Sequence, residues 1–301
     1  MGSEEHIMGG VKPGGAAQGG GSVRETLDRY GIRYSKSKGQ NFLVDAKIPE
    51  KIVRLAGIDK SCGVLEVGPG LGALTRALSA AAGRVLAIEL DGRLIPILRE
   101  MFDGQPNVGF VHGDVLKLDI AALIAEKLPS QKHILCANLP YNITTPALSA
   151  FIKAGVFESI TVMVQREVAR RICAKPASPE YGAFTVFVNY HAEPSPLFDV
   201  PPECFFPRPG VWSSVITLKT GTGRALEPDA EAMFFRVVRS AFGQRRKTLV
   251  NALHSVFGYA LDKNAVEKAV ISCGIDARAR GETLDIADFI KLSEKISLLL
   301  R

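Results

Sequence analysis

The sequence predicts an α/β fold: a parallel sheet covered by helices on both faces, followed by a small all-helical domain. Two observations carry this. From Gly63 to Gln165 short apolar, β-rich runs alternate with helix-forming segments, the pattern of parallel strands joined by helical crossovers. From Asp229 onward the pattern is helical, with breaks at Gly243, Gly258, Gly274 and Gly281. The length agrees, since 301 residues suit about two domains of roughly 150 residues each.

Taken in order, the predicted strands are 64–67, 85–90, 108–111, 134–137 and 160–164. Each is too short and too rich in Val, Ile and Leu for a surface helix. The segments between them, 71–82, 92–102, 121–127 and 145–154, have helix-forming composition, and Gly or Pro marks most of the joints. Residues 181–191 suit a strand by their aromatic and β-branched content and a helix by their length. The Pro-rich stretch 194–209 is expected to be loop and sheet edge, because proline removes a ladder donor. Residues 211–218 then read as one more strand, and 221–228 as a linker. The expected organisation is a disordered Gly-rich tail over 1–22, a catalytic domain over 23–220 and a helical domain over 221–301. The tail lacks the apolar core of a signal peptide.

Composition narrows the class of protein. Hydrophobic residues make up 47% of the chain, ample for a buried core. The longest apolar runs, 159–164 and 296–300, fall far short of the ~18 residues that cross a bilayer, so no membrane association is expected. The five cysteines, Cys62, Cys136, Cys173, Cys204 and Cys273, are widely spaced and never form a CxxC pair. That pattern points to a reducing, cytoplasmic setting without disulfides, and no metal site is expected. A net charge of +6 suits an anionic polymer as partner and equally a merely basic protein.

The chemistry is concentrated in a few short stretches. Glu66-Val67-Gly68-Pro69-Gly70-Leu71-Gly72 follows a predicted strand and opens a predicted helix, where glycines let backbone pass close to a ligand and helix N-terminal amides are free. Such a loop serves a dinucleotide, S-adenosylmethionine or simply a tight turn. Glu89 ends the second strand, 21 residues beyond Gly68, where a carboxylate can accept from ribose hydroxyls. The GxGxG spacing leans away from NAD, as does Asp114 at the end of the third strand, which can accept from an adenine amine. A turn or cap role would also account for Asp114.

Asn138-Leu139-Pro140-Tyr141 ends the fourth strand. Alone it is an ordinary turn, yet it falls where open α/β sheets bind ligands, at the strand carboxyl ends. An exocyclic adenine amine is a poor nucleophile because its lone pair is delocalised into the ring. Acceptors such as Asn138 Oδ1 and the Leu139 carbonyl would hold its protons, favour a pyramidal nitrogen and disperse the charge that develops. Tyr141 can stack on the extruded base. No base of shifted pKa is needed, since the methylated ammonium is acidic enough to lose its proton to water.

Together with Lys38-Gly39-Gln40-Asn41-Phe42-Leu43, with Asn142-Ile143-Thr144-Thr145-Pro146 and with Phe205-Phe206-Pro207-Arg208-Pro209, these stretches resemble the KsgA/RsmA family of ribosomal RNA adenine dimethyltransferases, in order over residues 34–251. The resemblance implies a Rossmann-like class I methyltransferase sheet with a helical C-terminal domain, and S-adenosylmethionine as methyl donor. It implies donor contacts from Gln40, Asn41, Leu43, Gly68, Gly70, Glu89, Asp114 and Asn138. Catalysis would rest on Asn138, Leu139, Pro140 and Tyr141, with Phe205 as a second aromatic face for the base. The implied substrate is two adjacent adenines near the 3′ end of small-subunit rRNA, within a pre-ribosomal 30S particle and with the enzyme acting as a monomer. Many members carry Lys and a polar residue where this chain has Gly210 and Trp212. That departure touches RNA contacts and leaves the chemistry alone.

Arg208 and the run Arg245-Arg246-Lys247 are the expected RNA contacts, the latter preceded by Arg236 and Arg239 with no intervening acid. A charge run is otherwise most often a solvated face. In Gln165-Arg166-Glu167-Val168-Ala169-Arg170-Arg171 ion pairing and RNA contact are equally open. Three other readings of the chain remain: an erythromycin-resistance-type enzyme acting on large-subunit RNA, an RNA-binding assembly factor, and a NAD-dependent oxidoreductase. Leu139 and the 244–249 cluster favour the small subunit.

Overall fold

The computed structural model describes residues 23–33, 40–221, 226–244 and 246–300; the Gly-rich tail, Lys38, Gly39 and Arg245 lie outside them. In chain order the elements are α1 (Val23–Arg29), β1 (Phe42–Leu43), α2 (Lys47–Leu55), β2 (Cys62–Val67), α3 (Ala73–Ala81), β3 (Arg84–Glu89), α4 (Leu94–Met101), β4 (Val108–His112), α5 (Ile120–Lys127), β5 (Lys132–Asn138), α6 (Thr144–Ala154), β6 (Ser159–Gln165), α7 (Arg166–Ile172), α8 (Ala183–His191), β7 (Ala192–Val200), β8 (Phe205–Phe206), β9 (Ser213–Thr220), α9 (Pro228–Gly243), α10 (Leu249–Phe257), α11 (Lys263–Ser272) and α12 (Ile286–Leu299).

The sheet runs β4-β3-β2-β5-β6-β9-β7. Its first five strands are parallel. The strands read from 63 to 165 are thus parallel as expected; the further strand expected at 211–218, whose direction the sequence left open, is β9, which runs antiparallel to β6, with β7 antiparallel to β9. Hydrophobic periodicity encodes which face is buried and says nothing of strand direction. The prolines fall where expected, since Pro194 and Pro196 sit on β7, an edge strand that bulges between Pro196 and Phe198.

Both faces of β2, β3, β5 and β6 are largely buried, which is why they read as mainly apolar runs, whereas the edge strand β4 is only partly covered. Alternate residues go to opposite sides: Leu65, Leu86 and Leu135 pack with α5 and α6, whereas Val64, Val85 and Ile134 pack with α2 and α3. The C-terminal helices close a separate core around the fully buried Phe234, Phe257 and Phe289. Side-chain caps start three of these helices, from Thr248, Asp262 and Asp285. The ambiguous segment 181–191 resolves as helix α8. Its Val188 joins the core of the sheet, and Val186 and Tyr190 join the helical core. Among the described residues no helix is long and apolar enough to cross a membrane.

Candidate active site

Chain order along the sheet reverses between β2 and β5, and at such a switch point the loops leaving adjacent strands diverge and open a crevice. A pocket lies there. It is lined by Gly68 and Gly70 after β2, Glu89 and Leu90 at the end of β3, Asp114 and Leu116 after β4, and Asn138 through Ile143 after β5. Gln40, Asn41 and Phe42 close it from the N-terminal side. The structure therefore brings together seven of the eight residues expected to hold the methyl donor. Leu43, the eighth, lines a smaller adjoining pocket behind the glycine loop.

The loop needs its glycines. Gly70 has φ +59°, and a Cβ there would stand 3.0 Å from the Phe42 ring. Gly72, at φ +76°, caps α3, and a Cβ there would approach the Phe102 ring to 2.5 Å. Backbone at Gly70 is thus pressed between a ring and the crevice, with its N–H aimed at Glu89 Oε2 (3.2 Å). The Asp91 N–H donates to Glu89 Oε1 at 2.8 Å. A carboxylate offers about four lone-pair sites, so acceptor capacity remains for a ligand hydroxyl. Burial raises the Glu89 pKa, and the amides of Asp91 and Gly70 oppose the rise.

Glu66 is buried on the far side of the loop, where Thr75 donates to it at 2.6 Å. Desolvation pushes its carboxyl up to about 8, against the Thr75 bond and assisted by Glu89, so it holds its proton at neutral pH. Asp114 serves two purposes: it lines the pocket, and its Oδ1 accepts from Leu116 N–H (3.1 Å) while Lys117 stands 3.7 Å from Oδ2. The turn role foreseen for it coexists with its place at the pocket.

The Asn138-Leu139-Pro140-Tyr141 turn is held at each end. Asn138 Nδ2 donates to the Asn41 carbonyl at 3.2 Å. A carbonyl can only accept, so this bond fixes the amide orientation and leaves Oδ1 as the free acceptor. The Leu139 N–H donates to Met163 O (3.2 Å), and Pro140 O accepts from Ile143 N–H (3.2 Å). Tyr141, half-buried, shares a 2.6 Å hydrogen bond between its hydroxyl and that of Ser213. Burial raises its pKa, so the phenol is neutral.

Phe205 is corrected. It is buried in the core with Leu43, Val200 and Val215 and does not line the pocket. The cause is register: β8 pairs with β1 so that Phe205 opposes Leu43 and Phe206 opposes Phe42. Neighbouring residues of a strand face opposite ways, so Phe205 turns inward with Leu43. Arg208 is exposed and lies 3.4 Å from Glu203. Arg246 and Lys247 are exposed, and neither forms an ion pair with a described carboxylate.

Sequence reasoning missed three residues. Phe42 presses on Gly70, Asp91 accepts from Gln40 Nε2 at 3.3 Å and pairs with Arg93 at 2.6 Å, and Ser213 holds Tyr141. Asp91 follows Glu89 at a strand end and carried a signal; a serine opening a strand carried none.

Comparisons with known proteins identify the family. The family model described as "Ribosomal RNA adenine dimethylase" matches residues 32–297. A protein of Geobacillus kaustophilus named "Ribosomal RNA small subunit methyltransferase A" is 44% identical over 282 residues, 93% of this chain and 96% of that relative. A Clostridium botulinum protein of the same name is 45% identical over 276 residues, 91% of this chain and 98% of that relative. Among solved structures, a dimethyladenosine transferase from Plasmodium falciparum superposes with TM-score 0.71 at 25% identity, covering 83% of this chain and 95% of that one. The 23S rRNA methyltransferase ErmE superposes with TM-score 0.66 at 27% identity, covering 85% of this chain and 100% of that one. A family-model match over nearly the whole chain, with relatives at 44% and 45% identity over more than nine-tenths of it, assigns the protein to the ribosomal RNA adenine dimethylase family.

Proposed function

We propose that this protein transfers methyl groups from S-adenosylmethionine to the N6 amine of adenines in small-subunit ribosomal RNA, giving N6,N6-dimethyladenosine at two adjacent adenines near the 3′ end. The observation that carries the proposal is the meeting in one crevice of Asn138, held with Oδ1 free, with Gly68, Gly70, Glu89 and Asp114. The names of relatives at 44% and 45% identity support the small subunit over the large.

The donor fits the residues present. Glu89 has acceptor capacity for the ribose, Asp114 for the adenine amine, and the exposed Leu90 and Leu116 offer apolar surface to a flat ring. Bound there, the donor supplies an electrophilic methyl group on its sulfonium. The protein's own part is orientation. Asn138 Oδ1 and the Leu139 carbonyl accept the two amine protons of the target adenine, and Tyr141 holds the base by its ring face. Preorganised acceptors act where charge develops, and water takes the proton of the methylated nitrogen.

The helical region, 221–301, serves as the RNA-binding domain beside the catalytic domain 23–220. From Arg236 to Leu261 the chain contains no Asp or Glu, and it carries five Arg or Lys. The same reading assigns Arg208 to the RNA path and makes the working partner a pre-ribosomal 30S particle, met by a monomer in the cytoplasm. Undermethylated small subunits incubated with labelled S-adenosylmethionine, followed by mapping of the modified adenines, test the activity. Co-sedimentation with pre-30S particles tests the partner. Absence of label in adenine would refute the proposal.

A further inference from the structure

Trp212 is the chain's one tryptophan, and it is 42% exposed beside Val211 at 46%. It belongs to neither the sheet core nor the helical core. Its position follows from the antiparallel β9, whose first residue Ser213 pairs with Gln165 at the end of β6. This puts Trp212 on the same sheet edge as the pocket, immediately before the serine that holds Tyr141. Asn138 pairs with Met163, and Met163 with Val215. Trp212 therefore lies two strands across and three residues outward from Asn138, roughly 14 Å between Cα atoms at standard strand spacing and rise. The indole is not among the residues that line the crevice, and it lies within reach of a nucleotide next to the one that enters it.

The ring is also held. The Arg166 N–H donates to the Trp212 carbonyl at 2.9 Å, and the Arg166 guanidinium sits 5.2 Å from the indole centroid. Asp199, 3.8 Å away, steadies that guanidinium from the side. One side of the indole is thus backed by a cation carried at the start of α7. A pre-set aromatic surface with a positive charge behind it suits a nucleotide, whose base offers a π-face and whose phosphate is anionic.

We propose that Trp212 is a stacking platform for an RNA nucleotide flanking the target adenine, a positioning contact that rests on the function proposed above. Stacking of this kind holds RNA and leaves the methyl-transfer geometry at Asn138 unchanged, so it acts on the Michaelis constant for RNA. Two measurements test it. Titration with the hexanucleotide r(A)6, its binding followed independently by anisotropy of a labelled copy, should quench the indole emission saturably. Trp212→Ala should raise KM for undermethylated small subunits about 5- to 150-fold, with kcat at saturating subunits and donor affinity unchanged, and Trp212→Phe should recover most of the loss. Unquenched emission at saturating r(A)6, or an unchanged KM in Trp212→Ala, would overturn the platform. Failure of the wild type to methylate adenine would instead overturn the function proposed above, and the quenching measurement reads the platform independently of it.

Discussion

Glu66 offers a test of the site's electrostatics that needs no substrate. Its carboxyl is fully buried, with a pKa of about 8 against 4.5 for an unburied glutamate. In the unfolded chain the group ionises near 4.5; in the folded protein it keeps its proton until about 8. Across that window the unfolded state binds fewer protons, so the folded state loses stability as pH rises. Integrated from pH 5 to pH 8 the loss is on the order of 3–4 kcal/mol, at 1.36 kcal/mol for each unit. Glu66→Gln keeps the shape and an acceptor for the Thr75 hydroxyl, and it cannot ionise. The added amide donors shift the variant's stability by an amount independent of pH. The slope of the difference is therefore the observable. Urea unfolding of both proteins at pH 5, 6, 7 and 8 should show the wild type falling relative to Glu66→Gln by roughly 3–4 kcal/mol. Parallel curves would mean that Glu66 is ionised when folded, and the reasoning would fail.

The remaining predictions concern the site in action. Asn138→Ala removes an acceptor needed most as the nitrogen becomes pyramidal, so single-turnover methylation at saturating RNA and donor should fall roughly 10²–10³-fold; a near-normal rate would exclude that role. Tyr141→Phe, which loses the Ser213 hydrogen bond and keeps the ring, should stay largely active, whereas Tyr141→Ala should impair productive capture by about 1–3 kcal/mol, read as kcat/KM for RNA. Glu89→Ala should weaken donor binding by roughly 1.5–3 kcal/mol, and calorimetry showing unchanged affinity in a folded variant would remove Glu89 from the site. Replacing Arg246 and Lys247 with glutamine should flatten the log–log salt dependence of RNA binding by about 1.4–1.8 units if each meets one phosphate; an unchanged slope reassigns them to the solvated surface.

Most strands and helices of the sheet were legible because burial on both faces of the central strands writes a mainly apolar run into each. The residues that line the crevice were legible for a different reason: open α/β sheets place their ligand crevice at the strand carboxyl ends, where Gly68, Gly70, Glu89, Asp114 and Asn138 fall. Three things were not. Residues 181–191 carry the aromatics of a strand and form α8 because Val186, Val188 and Tyr190 have cores on two sides to fill. Tertiary packing overrides β propensity there. The direction of β9 could not be read, and with it went the placement of Ser213 and Trp212 at the pocket edge. Phe205 was misplaced because two adjacent phenylalanines look alike in sequence. Only pairing of Phe206 with Phe42 decides which of them faces inward.

Helix α8 has a consequence for how this protein can be cut or recombined. Its rings are stacked into those of α9, with Tyr190 and Phe234 at 4.8 Å and Phe187 and Phe235 at 5.7 Å between centroids. The Tyr181 hydroxyl donates to Leu284 O, far along the chain, at 2.9 Å. A truncation at the expected linker would leave those aromatics without cover on a fragment that still carries every residue lining the crevice. Exchange of C-terminal regions between relatives should therefore succeed only when α8 travels with the helices it serves, so that the workable crossover lies upstream of Tyr181 and not at the linker.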